Sequence, residues 1–559
     1  MADSPPTSRA RYAAAGMLLS KVSGLVRERI LGNLFGVSAY ADVWRLALRA
    51  PNNLQNLLGE QTLSAAFIPI YARLLEEGKE REAGRFAGAI LGLLLATVCA
   101  LVLIFVALAP WVVAILTPGL LKDAEEVAAG LRQVDRYPLV VQAVRITFPM
   151  AGILVFSAWA LAVLNGHRRF FLSYLSPIFW NGAIVSALLV AAWRGGHLWS
   201  PDAAGTDIVE SWVFVGLIGA LVGGLLQFIV QMPLVLRLCP QLRPSFDVKA
   251  PGVGKALKAV VPAIAGRGVV QLGFYIDMFL SSFLRAGAPG ALGYCAALLN
   301  LVLGVFGMSV AAAELPEMSR EDVEADPEAA HTRIAERLER AIGQSLFIVM
   351  PAVLGYLAFG FLVCALLFRG GRFGVAENWL IYLLLTTYTL GLPASAVSRI
   401  TQNAYFALRD TKTPAYIATA RLVLGSSTAA MLMLWLDQYG VGTVVDLPDR
   451  ANKNLYLGAL GLGLGASLGA WFEFVLLTRG LRQRIPTFQL PWRRAGGHLV
   501  RALLTALPPL GLWYWLDGQP GLGQSVFVQA LLVLPAYVVA YLGIAWLRRA
   551  PELRQWIGR

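Results

Sequence analysis

Eight ionisable residues crowd an otherwise apolar stretch at residues 20–60: Lys21, Arg27, Glu28, Arg29, Asp42, Arg45, Arg49 and Glu60. Arginine forks and lysine ammonium groups are the side chains that hold phosphate oxygens, and carboxylates are what neutralise them when no anion is present. Asp42, Arg45, Arg49, Asn53, Asn56 and Glu60 follow spacings of three and four, so they share one helical face for as long as the helix continues past Pro51. A second concentration lies further on. Arg267 and Gln271 are one turn apart deep in an apolar segment, and Asp277 follows. An ionisable group at membrane depth costs at least about 2.5 kcal/mol, so such residues face a bundle interior or a wet cavity. The chemistry expected is binding and release of an anion, with no bond made or broken. Lys21, Arg27, Arg45, Arg49 and Arg267 are the candidate cations, and Asp42, Glu60 and Asp277 the counter-charges or gating carboxylates.

The segments that must position these groups are membrane helices. The chain has 559 residues, 57% hydrophobic and only 14% charged, against roughly 25% charged in soluble domains. Apolar runs of about 20 residues, the length that spans a bilayer, suggest an all-α polytopic protein with fourteen helices. Their spans are 11–36, 40–72, 86–117, 139–165, 171–194, 211–237, 256–285, 289–316, 340–368, 377–407, 415–436, 454–478, 498–516 and 523–547, the first two and the seventh being the least apolar. With a cytoplasmic N-terminus, basic residues favour the cytoplasmic connections by about three to one, which places both termini inside and makes 318–338 the largest cytoplasmic loop. No cleavable signal peptide is expected at the N-terminus. The net charge of +13 is spread over helix ends, so no nucleic acid is expected. Cys99, Cys239, Cys295 and Cys364 lack paired spacing, the four histidines are scattered, and glycine runs such as 458–471 lack the lysine of a phosphate loop. No metal, cofactor or enzyme activity is expected, and coupling to the membrane potential or to a monovalent cation is left open.

The chain reads as written twice, with a copy distance of about 240 residues. SAAFIPIYAR (64–73) matches AAAELPEMSR (311–320), and LNGHRRFFLSYLSP (164–177) matches YFALRDTKTP (405–414), each of the latter pair a basic turn leading to a proline. Two pseudo-symmetric six-helix lobes follow: 1–240 for helices 1–6, then 241–450 for helices 7–11 with 451–485 for helix 12. Parallel repeats of this kind place a substrate path between lobes and permit alternating access. Residues 486–559, helices 13–14, lie outside the repeat.

SKVSGLVRERILGNLFGVSAYADVW (20–44) and APNNLQNLLGEQTLSAAFIPIYARLL (50–75) resemble the MurJ family of lipid II flippases, within the multidrug/oligosaccharidyl-lipid/polysaccharide exporter superfamily. VRITFPMAGILVFSAWALAVLNGHRRF (144–170), LSP and WN within 175–181, VPAIAGRGVVQLGFYID (261–277), LFRGGRF (367–373) and ALRDTKTP (407–414) extend the resemblance in order. It implies a multi-pass protein of the bacterial cytoplasmic membrane that carries the undecaprenyl-pyrophosphate-linked peptidoglycan precursor, lipid II, to the outer leaflet. It further implies a cationic headgroup cavity, a groove for the isoprenoid tail on helices 13–14, contact with membrane lipids, and cell-wall synthesis enzymes as candidate partners. The family's helix 1 cations fall on Lys21 and Arg27, its helix 2 aspartate on Asp42, the basic residue before Pro-Asn on Arg49 and the closing glutamate on Glu60. Two cations of the family pattern are missing, at Gln55–Asn56 and at Ala297, while Arg45 and Arg267 are extra. That departure reads as relocated cavity charge. It also leaves room for a flippase of another lipid-linked oligosaccharide, or for a non-transporting membrane scaffold.

Overall fold

The computed structural model describes residues 6–302, 327–448, 451, 454–519, 525–548 and 550, and the backbone alone at 6–15, 17, 53, 60, 61, 170, 173 and 261–271 within its helices. The described residues are overwhelmingly helical. The chain divides into two compact units, Met1–Gly290 with Gly370–Arg372, and Ala291–Arg369 with Phe373–Arg559.

In the first unit α1 is Pro6–Phe35, α2 Ala39–Leu58, α3 Glu60–Ala66, α4 Ile68–Glu76, α5 Glu80–Ala107, α6 Ala109–Leu116 and α7 Asp123–Ala128. There follow α8 (Arg136–Gly166), α9 (Phe170–Leu175), α10 (Pro177–Arg194), α11 (Thr206–Leu238) and α12 (Val253–Ser282). The post of this unit is α8, most of whose apolar stretch is buried against α2, α5 and α11. Trp44, Trp159 and Trp212 are enclosed there. By contrast α5 and α10 turn most of their apolar surface outward, with Leu103, Trp193 and, on α6, Trp111 and Ile115 exposed. A band of large apolar side chains facing away from the core is what hydrocarbon, rather than water, stabilises. α12 packs on α2 and α3.

After α13 (Ala288–Val302), the second unit holds α14 (Pro327–Phe368), α15 (Val375–Thr389), α16 (Leu392–Ala407), α17 (Lys412–Leu436), α18 (Gly458–Arg484), α19 (Trp492–Asp517) and α20 (Val526–Leu547). Its tightest pairing is α17 on α18. The glycine run of α18 makes that approach possible: a Cβ on Gly461 would lie 2.3 Å from the Met433 nitrogen, and one on Gly465 2.5 Å from the Gly425 carbonyl oxygen. Close packing thus accounts for the 458–471 glycines.

Helices stand at the place of every predicted span, with 303–316 of the eighth outside the described residues. Among the described residues ten are long and apolar enough to cross a membrane. The stretches that fall short are those of the first, second and seventh predicted helices, where the charge sits, together with the described part of the eighth. Two boundaries differ from expectation. The helix does continue past Pro51, but it breaks at Gly59 (φ −90°, ψ −132°), so Glu60 opens a new helix. The expected cytoplasmic loop 318–338 is already helical from Pro327, because its basic and acidic residues extend α14 at a polar end.

The basic turns of the repeat match in backbone detail. Arg168 (φ 58°) and Arg409 (φ 57°) are the two left-handed residues other than glycine among those described. At each turn the following residue's amide reaches back five positions, Arg169 to Leu164 and Asp410 to Tyr405, both at 2.9 Å. The same helix ending recurs 241 residues later. The other repeated segment, 311–320, lies outside the described residues.

Candidate functional site

Two charged clusters occupy the first unit, and α1 and α2 supply the first. Arg27 donates from Nη2 to Glu28 Oε1 (2.7 Å) and from Nη1 to Asn181 Oδ1 (2.9 Å). Its guanidinium lies 4.9 Å from the Trp180 ring centroid, a cation–π contact. Asn181 in turn donates to Ser23 Oγ at 2.8 Å, which fixes its amide so that the carbonyl oxygen faces Arg27. Arg45 reaches the same Glu28 carboxylate, through Nη2 to Oε2 and through Nη1 to Oε1 at 3.3 Å. Two arginines therefore share one carboxylate. Arg27 and Arg45 keep 19% and 17% of their side-chain exposure, while Glu28 is buried at 5%. One turn on, Arg49 stands 5.7 Å from the Phe274 ring of α12. Lys21 is half-buried on α1, two turns before Glu28.

The second cluster is dry. Arg136, at the start of α8, donates from Nε and Nη2 to the two oxygens of Asp123 (2.6 and 3.0 Å) and from Nη1 to Asp42 Oδ2 (2.9 Å). All three side chains have no exposure. Asp42 also accepts the backbone N–H of Gly287 (2.7 Å) and of Gly290 (2.8 Å). Its carboxylate thus binds the first turn of α13 rather than the amides of its own helix. Gly287 must be glycine there: its φ is +98°, and a Cβ would stand 2.9 Å from Val37 Cγ1. Arg132 adds contacts to Asp123 and Glu126. Three carboxylates thus meet two arginines, with backbone amides on the remaining Asp42 acceptors, while Arg132 Nη1 is buried with no hydrogen-bond partner among the described residues.

Of the predicted residues, the structure brings Arg27 and Arg45 together and puts Arg49 on the next turn of the same helix. Asp42 lies apart from them in the dry cluster, and Asp277 is half-buried on α12. The side chains of Glu60 and Arg267 lie outside those described; their backbones lie in α3 and α12. Sequence reasoning missed Glu28 as the shared counter-ion. It also missed Asp123 and Arg136, the latter reaching Asp42, 94 residues away in the chain. The signal for Trp180 and Asn181 was present, since they form the WN of the 175–181 motif. In the second unit, buried Glu473 accepts from Arg421 Nη1 (2.5 Å) and Gln402 Nε2 (2.9 Å).

The family model described as "Lipid II flippase MurJ" matches residues 31–519. The chain belongs to the MurJ family. A "Probable lipid II flippase MurJ" of Vibrio cholerae serotype O1 is 30% identical over 544 residues, covering 93% of this chain and 94% of that protein. The "Lipid II flippase MurJ" of Burkholderia cenocepacia is 29% identical over 553 residues, covering 96% of each. Among solved structures, a lipid II flippase MurJ in an inward closed conformation superposes with a TM-score of 0.68 at 20% identity, covering 95% of this chain and 98% of that one. An inward-facing multidrug resistance MATE transporter of the MOP superfamily gives 0.54 at 15% identity, over 84% and 94%. These likenesses show the fold. This member of the MurJ family is a multi-pass inner-membrane protein; of its Arg27–Glu28–Arg45 cluster, Arg45 falls within the matched residues and Arg27 and Glu28 just before them.

Proposed function

We propose that this protein moves lipid II from the inner to the outer leaflet by alternating access, with the Arg27–Glu28–Arg45 cluster as part of a cationic site for its pyrophosphate. The observation that carries this is the pair of partly exposed arginines that meet on the buried Glu28 carboxylate. In a chain of this family, a site that presents two partly exposed guanidinium groups suits an anionic headgroup and not a cationic drug. With no substrate, Glu28 keeps both guanidinium groups in place and lowers the cost of holding them in the membrane. An entering pyrophosphate offers more oxygens than Glu28 does, so each fork can exchange one carboxylate contact for a bidentate phosphate contact. Arg49, Lys21 and Arg267 add charge along the same path, and Glu60 and Asp277 are counter-charges. Asp42, tied to the start of α13, acts as a gating carboxylate, because moving α2 away from Gly287 and Gly290 requires giving up both amide contacts. Helices 13–14, here α19 and α20, hold the isoprenoid tail. Outward transfer of a pyrophosphate with the potential negative inside releases about 2.3 kcal/mol per charge per 100 mV, enough to bias direction without a nucleotide. A monovalent cation is a second possible energy source, and cell-wall synthesis enzymes are the partners such a carrier would serve.

Complementation of a strain depleted of its own lipid II flippase, with flipping in reconstituted vesicles, tests the reading. The protein should restore growth, and Arg27→Ala should not. The uncharged Gln55 and Ala297 favour a second reading, a different lipid-linked oligosaccharide. Flipping of such a lipid, with none of lipid II, would replace the first reading with the second.

A further inference from the structure

Away from both clusters, α19 and α20 pair with each other and with α14. Where α19 begins and α20 ends they leave a cleft of about 270 Å³, lined by Gly496, Gly497, Arg501, Leu504, Ile544 and Arg548 among others. Arg501 dominates it. Its guanidinium lies 5.8 Å from the Phe347 ring centroid, and its Nε and Nη1 are buried with no hydrogen-bond partner among the described residues. A buried guanidinium with idle donors is costly unless an acceptor arrives. Arg548, exposed just past the end of α20, lines the same cleft and adds a second charge. The helix wall is bare at Gly496 and Gly497, where an added Cβ would meet nothing within 4 Å. Beside the cleft Leu503, Leu504, Trp546 and Leu547 form an exposed apolar shelf.

We propose that this cleft binds an anionic phospholipid of the surrounding membrane. The phosphate accepts from Arg501 Nε and Nη1 and faces Arg548, while an acyl chain lies along Leu504 and Ile544. The charge calls for an anion and the shelf calls for a hydrocarbon chain on that anion. The volume lies below the roughly 300–1,000 Å³ of drug-sized sites, which suits a phosphate with a small glycerol head. This site is separate from the Arg27–Glu28–Arg45 cluster and does not depend on the transport reading.

The test is lipid binding by the full-length protein in neutral detergent, read by native mass spectrometry. Phosphatidylglycerol, phosphatidylcholine, undecaprenyl phosphate and inorganic phosphate are titrated separately. Phosphatidylglycerol should bind about ten-fold tighter than phosphatidylcholine, and inorganic phosphate should be far weaker because it lacks the chain. Arg501→Gln with Arg548→Gln should erase that preference at an unchanged lipid-free melting temperature. Should the double variant not fold, Arg548→Gln alone, at an exposed position, should weaken phosphatidylglycerol several-fold and leave phosphatidylcholine unchanged. Unaltered phosphatidylglycerol binding in the folded variants overturns the proposal. So does Arg501-dependent binding of undecaprenyl phosphate without phosphatidylglycerol, which would make the cleft a substrate-lipid site.

Discussion

The two charged clusters of the first unit use the same residue types to opposite ends. Around Arg136, carboxylates outnumber arginines, the Arg136, Asp42 and Asp123 side chains have no exposure, and the surplus acceptors are met by the amides of Gly287 and Gly290. Around Glu28, both arginines keep part of their surface. A dry set of charges is a clamp: it holds helices together and lies out of a ligand's reach. An open, partly exposed set can be reached by an anion. Exposure separates the two clusters, and residue identity does not.

The sharpest way to break this contrast is to remove the centre of the clamp. Arg136→Ala leaves Asp42 and Asp123 buried against each other, a loss of about 3–5 kcal/mol, and the yield and melting temperature of the purified protein should fall steeply. A variant that folds normally and fails only in transport would move Arg136 into the transport machinery. Arg27→Ala should do the reverse. Because a charge-assisted hydrogen bond contributes about 1.5–3 kcal/mol, vesicle flipping should drop about ten-fold or more with little change in melting temperature. Wild-type flipping by Arg27→Ala would remove the open cluster from the substrate path.

Smaller changes sharpen the comparison. Glu28→Gln adds net positive charge to the open cluster, so affinity for a pyrophosphate lipid should rise several-fold while turnover falls through slow release. Binding and flipping measured on the same preparation separate these two effects; a joint loss would make Glu28 purely structural. Asn181→Ala removes one Arg27 contact and leaves the Trp180 ring, so flipping should fall only a few-fold. The smallest effect is that of salt. Raising ionic strength from about 0.1 to 1 M shortens the screening length from about 10 to 3 Å, which should weaken headgroup binding at the partly exposed cluster and leave the contribution of the dry one to the melting temperature unchanged.

Much of the fold was legible because a bilayer imposes its length on every helix and leaves a long apolar run few alternatives. The first, second and seventh segments read as the least apolar, and the same stretches fall short of the hydropathy of a membrane span. The likeness of the two basic turns was legible, and a left-handed arginine sits in each, at 168 and 409. The break at Gly59 was not, since Pro51 is the conspicuous helix breaker of that segment and α2 runs straight through it. Pro51 sits in the interior of α2 and costs it a hydrogen bond without ending it, whereas Gly59 adopts a conformation outside the helical region.

Sequence alone determined that this chain is a membrane-helix protein with charge concentrated in α1, α2 and α12, and it singled out arginines of α1 and α2 as candidate anion ligands. Those conclusions follow from hydropathy and helical periodicity, which act over neighbouring residues. Which carboxylate neutralises which arginine was decided by tertiary structure alone. Glu28 was chosen over Asp42 for Arg45, although Asp42 is only three residues away and Glu28 is seventeen. Asp42 was claimed by Arg136, 94 residues along the chain. A short carboxylate and a guanidinium meet only where packing points them at each other. That direction is set by how α1, α2 and α8 pack, and local spacing carries no record of it.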